Sequence, residues 1–220
     1  MSELSIIVEG QTEEEFVNNS LVPYFSDFGI GNVKPILLET SPGYFGGDVS
    51  FGRYKLNVEN LLHGRNDILV TSLIDFFRLV DDFPGYLAAM AIADKNAATS
   101  RLEYELSLAI PNPNFLPYIQ LHEFEGILFS SEAGFDYIHN ITEQNRQIIR
   151  NIIATYPNPE LINDGPMTAP SKRLKGLVPR YKKTFHGPII ALENGLTPVI
   201  TKCPRFANWI TLIIQRMAIL

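Results

Sequence analysis

Acidic residues stand where short apolar runs stop. SIIV runs into Glu9 and Gly10, ILVTSLI into Asp75, and FLPYIQL into His122, Glu123 and then Glu125. Short Ile/Val-rich runs bounded this way read as buried strands. In open parallel sheets, ligands gather beyond the carboxyl ends of the strands, where loops converge. Carboxylates brought to one such rim repel each other unless a proton or a cation intervenes. Glu123 and Glu125 are two residues apart, so on an extended segment both point to one side. Glu9, Asp75, Glu123 and Glu125 would then converge from three strand ends. Hard oxygen ligands of this kind suit Mg²⁺ or Mn²⁺, and such an ion can orient a water and stabilise a transferring phosphoryl group.

Plainer readings stand beside this one. Glu13, Glu14 and Glu15 fall in a first helical turn, where acids complement the helix dipole. Thr12 and Glu15 form a capping-box pattern that predicts a helix from residue 13. Glu13, nearest the strand end, is the only one of the three that also counts as a candidate metal ligand. Asp75 could begin a turn, Glu125 could cap a helix and Glu123 could simply be solvated. Glu9 is harder to explain so, because it ends an apolar strand in a tight turn. His122 is either a proton acceptor beside Glu123 or a structural histidine.

The elements that must carry these acids alternate. Strands are predicted at Leu4–Val8, Val33–Leu38, Ile68–Ile74 and Phe115–Leu121. A helix after Thr12 should stop before Pro23. The glycine-rich stretch Ser41–Arg53 reads as a long loop, followed by a helix over Tyr54–Leu62. Tyr86–Leu108 reads as helical with a break near Asn96. Beyond residue 130 the pattern turns to helices: Thr142–Tyr156, Lys172–Tyr181 and a last one after Pro204. In that last helix Phe206, Trp209, Ile210, Ile213, Ile214 and Met217 form one apolar stripe, which reads as core packing. The expected fold is α/β, a mostly parallel sheet flanked by helices, with residues 1–130 as core and 131–220 as a helical portion packed on it.

The totals narrow the partners. The chain has 220 residues and a net charge of −6, which argues against passive binding to nucleic acid through a basic surface. An enzyme whose acids hold cations against a nucleic acid is not excluded. Cys203 is the only cysteine, so no intramolecular disulfide or cysteine cluster forms. Leu4–Val8 is too short for a signal peptide, and Gln215 and Arg216 interrupt the apolar C-terminal stretch. A cytoplasmic protein with no membrane partner is the expectation. No zinc spacing, P-loop or nucleophile elbow is present, and Gly29 and Gly31 match the dinucleotide fingerprint poorly. A paired-carboxylate glycosidase would need an aromatic sugar groove that the sequence lacks. The one basic run, SKRLKGLVPRYKK, carries Lys172, Arg173, Lys175, Arg180, Lys182 and Lys183. It reads as a solvated helix face or as a contact for a phosphodiester backbone. Arg53 could likewise reach a phosphate or face water.

VEGQTEEEF, LIDFF followed by FPG, HEFEGILF, PSKRLKGLVPRYKK with HGP, and KCPRFANW occur in that order between about residues 5 and 210. With these motifs the sequence resembles the bacterial domain of unknown function 4276. That family looks related to Toprim domains, the Mg²⁺-dependent α/β modules of topoisomerases, primases and overcoming-lysogenization-defect nucleases. The resemblance implies a Toprim-like fold and encoding beside ATPases, in settings of anti-phage defence. By position it makes Glu9 the Toprim glutamate and Asp75 the first acid of the Asp-x-Asp motif. The second acid of that motif falls on Phe77. The expected function is therefore Mg²⁺- or Mn²⁺-dependent cleavage of a nucleic-acid phosphodiester with a partner ATPase. Glu9, Glu13, Asp75 and Glu125 would serve the metal, His122 or Glu123 would accept a proton, and Arg53, Lys172, Arg173 and Lys175 would contact nucleic acid. The alternative, motivated by Phe77, is an inactive regulatory or adaptor subunit of an ATPase.

Overall fold

Strand β1 (Glu3–Val8) is buried along its whole length, and so is β5 (Ile68–Asp75). In the computed structural model, which describes residues 2–41, 44, 45, 50–163, 165 and 168–220, these two strands form the centre of a parallel sheet. β2 (Val33–Leu37) pairs with the outer edge of β1, and β6 (Phe115–Leu116) and β7 (Ile119–Gln120) pair with the far edge of β5. The strand order is β2-β1-β5-β6. All of these pairings are parallel. A small antiparallel pair, β3 (Glu39–Ser41) with β4 (Tyr44–Phe45), lies apart from this sheet.

Strand alternation divides the core between two faces. Leu4, Ile6, Val8, Leu69 and Leu73 face one cluster, which holds Phe16, Leu21, Phe124, Phe206 and Trp209. Ile7, Ile68, Val70 and Ile74 face the other, with Tyr54, Val58, Leu102 and Leu106. On that second face lie α3 (Phe51–Leu62), α4 (Tyr86–Met90) and α5 (Lys95–Ala109). The first face carries α1 (Gln11–Phe16), α2 (Val22–Ser26) and the later helices α6 (Ala133–Asp136), α7 (Glu143–Thr155), α8 (Pro170–Leu177), α9 (Lys183–Asn194), α10 (Leu196–Lys202) and α11 (Pro204–Met217). The stripe on α11 is core as expected: Phe206, Trp209, Ile210 and Ile213 are buried. Trp209 donates to Thr71 Oγ1 of β5 at 2.8 Å, satisfying a polar pair inside the sheet–helix seam.

Several elements depart from expectation for identifiable reasons. The capping box does not form. Gly10 is the N-cap, so the helix starts at Gln11, too early for Thr12 to cap it, and Glu15 bonds Asn19 instead. Pro23 does not stop the helix. A wider π turn over Val17–Leu21 precedes it, and Pro23 enters the first turn of α2, where its missing N–H matters least. The strand expected over Phe115–Leu121 is divided into β6 and β7 on either side of Pro117. The 86–108 helical region breaks at residues 91–94, and Asp94 caps α5 by accepting from Ala97 N at 2.9 Å. The loop expected over Ser41–Arg53 ends early, since α3 begins at Phe51; its residues 42, 43 and 46–49 lie outside the described residues. Among the described residues no helix is long and apolar enough to cross a membrane.

At the amino end of β1, Glu3 is buried against Ser5, Lys34 and Arg65, with the last two at 2.5 and 3.1 Å. Burial alone would raise its pKa, but the bonds from Lys34, Ser5 and Arg65 outweigh that and lower it to about 2. A carboxylate held below its unfolded pKa stabilises the fold above that unfolded value, and the stabilisation is lost as pH falls through the folded one. Glu3→Gln is expected to remove about 1–2 kcal/mol of stability at neutral pH, a value discounted for the solvent-facing partners. The deficit should shrink between about pH 4.5 and 2 in urea melts recorded across pH. A deficit that is unchanged across that window would contradict the assignment.

Candidate metal and phosphate site

β1 leads out toward β2 on one side, and β5 leads out toward β6 on the other. The carboxyl ends of β1 and β5 therefore flank the point where the connections diverge, the crevice in which open α/β sheets bind ligands. Val8 is opposite Leu73 in the register, which brings Glu9 level with the end of β5. Glu9 Oε1 accepts from Asp75 N at 2.7 Å, so the glutamate bridges the two strand ends directly. Asp75 follows Leu69 and Leu73 in parity and so faces α1 and α9. It is 4% exposed, and its Oδ1 accepts from Phe124 N at 2.8 Å.

Two further acids close in from the helical side. Glu13 in the first turn of α1 and Glu125 in a 3-10 helix over Phe124–Ser130 are both buried. Between them lies a cation. Lys183, the first residue of α9, places Nζ 2.9 Å from Glu13 Oε1 and 3.4 Å from Glu125 Oε1. Burial pushes the Asp75 carboxyl well above the usual carboxylate range; Glu9 adds to the rise, as do Glu13 and Glu125, and Lys183 offsets part of it. Glu125 is raised mainly by burial, again partly offset by Lys183. Burial works against the ammonium in turn, but Glu13, Asp75 and Glu125 outweigh it and keep Lys183 charged.

The other predicted site residues lie around this cluster or away from it. Glu123 adds to the rise in the Glu125 pKa, but the two acids are not aligned on an extended segment. Glu123 is followed at once by the 3-10 helix over Phe124–Ser130, so the extended geometry that would align the two acids is absent, while the left-handed φ of 64° at His122 turns the chain before both. Glu123 instead accepts from Ser171 N and Ser171 Oγ, at 2.9 and 3.0 Å, and fixes the start of α8. His122 Nδ1 pairs with the Asn163 amide nitrogen at 3.1 Å. That nitrogen only donates, so Nδ1 accepts and Nε2 carries the proton. Burial, with Lys95, lowers the His122 pKa against Glu123, keeping the ring neutral near pH 7. Arg173 turns inward: Nε donates to Thr168 O at 2.6 Å and the guanidinium lies over Tyr156. Lys172 and Lys175 are exposed on α8. Arg53 sits half-buried in the first turn of α3, whose helix belongs to the other face of the sheet. Phe77 is 59% exposed and touches none of these acids through a polar group.

The donor chemistry suits a hard divalent cation: all-oxygen, anionic, buried and mutually repelling. Among the described residues, however, no three Asp, Glu, His or Cys side chains are already drawn together into a metal cage. Lys183 takes the place of a cation between Glu13 and Glu125. The basic run that carries Lys183 reads as a solvated helix face or a phosphate contact, and the lysine's pairing with Glu13 and Glu125 is not foreseen there. Its only sequence signal is an unbroken Lys182-Lys183 pair following Tyr181, and Gly187-Pro188 a turn later reads as a helix breaker although α9 continues through it.

A parallel α/β module with an acidic rim at its divergence point is thus the class that fold and site define. The family model described as "Domain of unknown function (DUF4276)" matches residues 8–214, and the chain belongs to that family. None of the curated proteins matches the sequence. Among solved structures, the chain is similar to the C-terminal region of the Burkholderia pseudomallei OLD protein, at 13% identity and a TM-score of 0.48, over 97% of this chain and 99% of that one.

Proposed function

We propose that this chain is a Toprim-type, divalent-metal-dependent phosphodiesterase of the cytoplasm that cleaves nucleic acid, working with a partner ATPase in defence against phage. The supporting observation is the meeting of Glu9 and Asp75 across the ends of adjacent parallel strands, with Glu13 and Glu125 closing on the same rim. Glu9, Asp75 and Glu125, with Glu13, would hold Mg²⁺ or Mn²⁺. Such an ion, when bound, polarises a phosphoryl oxygen and lowers the pKa of a water. Lys183 supplies a fixed positive charge beside that position, where charge develops on the phosphate. Exposed Lys172 and Lys175 are three apart on α8 and share a face, so they can follow a phosphodiester backbone. Glu123, through Ser171, sets the direction in which α8 presents them.

The second reading is an adaptor without catalysis. Exposed Phe77, standing where a second acid would be, and the ammonium already neutralising Glu13 and Glu125 favour it. Incubation of single- and double-stranded DNA and RNA with Mg²⁺ or Mn²⁺, with the protein alone and with a candidate partner ATPase, separates the two. Cleavage that falls about 10²–10³-fold or more in both Glu9→Gln and Asp75→Asn is expected. Equal cleavage by wild type and both variants would remove the acids from the chemistry.

A further inference from the structure

Tyr181 lies in the link between α8 and α9, two residues before Lys183. Its ring stacks on His186 at 5.7 Å and 25° and packs against the main apolar cluster. Its hydroxyl is buried and makes no hydrogen bond among the described residues. Buried hydroxyls nearly always have a partner, and leaving one unpaired costs about 1–3 kcal/mol. A second orphan lies along the same wall. Thr12 is 1% exposed, and its Oγ1 is also unpartnered. Gly187 locates both residues: a Cβ there would stand 2.9 Å from the Thr12 methyl and 3.7 Å from Tyr181 Oη. The Tyr181 side chain thus reaches across the start of α9 to the seam with α1, where Lys183 meets Glu13.

The groups acting on the Tyr181 phenol are those of the acidic rim: burial first, then Glu125, Lys183, Glu13 and Glu123. Burial and the carboxylates together keep it a neutral O–H, able to donate at any physiological pH. Yet it donates to none of the carboxylates around it. An O–H and an ammonium that both act within one acidic rim offer two donors to an oxygen that arrives with its own counter-cation.

We propose that Tyr181 is a substrate-contacting residue whose hydroxyl donates to a non-bridging oxygen of the bound phosphodiester, beside Lys183. This rests on the phosphodiester reading of the rim, but not on cleavage by it. The proposal makes an unusual demand on stability. Tyr181→Phe removes an unpaired buried hydroxyl, so in the free protein it should leave Tm unchanged or raise it. A tyrosine that merely holds a structural water would lose stability instead.

The test uses the full chain and a phosphorothioate-linked oligothymidylate, with binding followed by fluorescence anisotropy in Ca²⁺ and cleavage of bis(p-nitrophenyl) phosphate followed in Mn²⁺. Tyr181→Phe is expected to weaken binding about tenfold and to lower kcat about 10–100-fold, with Tm not reduced. Binding within twofold of wild type, a reduced Tm, or no binding by wild type would each overturn the proposal. If Glu9→Gln abolishes turnover while Tyr181→Phe changes nothing, the metal reading survives and the Tyr181 contact does not. Tenfold weaker binding by Tyr181→Phe without turnover by wild type supports the contact and removes the cleavage.

Discussion

Asp75→Asn is expected to make the metal-free protein more stable while it disables the site. Asp75 is almost fully buried, and its one strong hydrogen bond, from Phe124 N, is to an oxygen that asparagine retains. The amide would also carry no charge against Glu9, Glu13 and Glu125, which act on Asp75. The substitution therefore removes a charge that burial and three carboxylates oppose, and keeps the bonding. The sign follows from the raised pKa. The folded state holds the Asp75 proton over a pH range in which the unfolded chain has lost it, so stability falls as pH rises from the ordinary carboxylate range toward the raised value. Wild type should lose stability over that window, and Asp75→Asn should lose less. The gain is the part of the carboxylate's burial cost that Lys183 does not offset, and each kcal/mol of it moves Tm by about 2–4 °C at this chain length. Thermal melts at pH 5 and pH 8 in EDTA measure the effect. A variant that melts below wild type at pH 8 would mean that Asp75 is paired as a structural carboxylate.

Lys183→Ala has the opposite expected sign. Its ammonium is the cation among Glu13, Asp75 and Glu125, and those carboxylates lie within the protein while about a third of the lysine side chain meets solvent. Removing one partner of a buried pair costs about 3–5 kcal/mol because the other charge is stranded. With the partial exposure of Lys183, about 2–3 kcal/mol is the expected loss. Adding Glu13→Gln to Lys183→Ala should recover more than half, and a double-mutant cycle should return a coupling of about 1 kcal/mol or more. Mn²⁺ should also restore Tm in Lys183→Ala more than in wild type, since the stranded acids gain a replacement cation. Additive single effects, or a Lys183→Ala variant as stable as wild type, would show that the ion pair contributes little.

The contrast between Asp75 and Lys183 also shows what the sequence could reveal. Glu9 and Asp75 were legible because each ends an unbroken apolar run, and parallel pairing of such runs leaves few places for the acids to go. The α11 stripe was legible for the same reason, since its spacing admits one buried face. Lys183 was not, because a lysine in a basic run looks solvated until α9 is known to pack on α1, and Pro188 conceals α9. The extended alignment of Glu123 with Glu125 is lost because a 3-10 helix begins at Phe124, between them, and no local pattern announces it. The capping box failed because Gly10, with no side chain to offer, took the N-cap position ahead of Thr12. What remained hidden in each case was tertiary: which helix covers the rim, and which oxygen it leaves for another partner.

The central claim is that the rim formed by Glu9, Asp75 and Glu125 accepts a divalent cation. Crystals of the full chain soaked in Mn²⁺, with anomalous data collected near the manganese edge, test it most directly. The account predicts one strong anomalous peak bounded by Glu9, Asp75 and Glu125, absent from Asp75→Asn crystals treated alike. Full-occupancy ordering of Lys183 between Glu13 and Glu125 with no peak at the rim, at Mn²⁺ concentrations that label other sites, would contradict it.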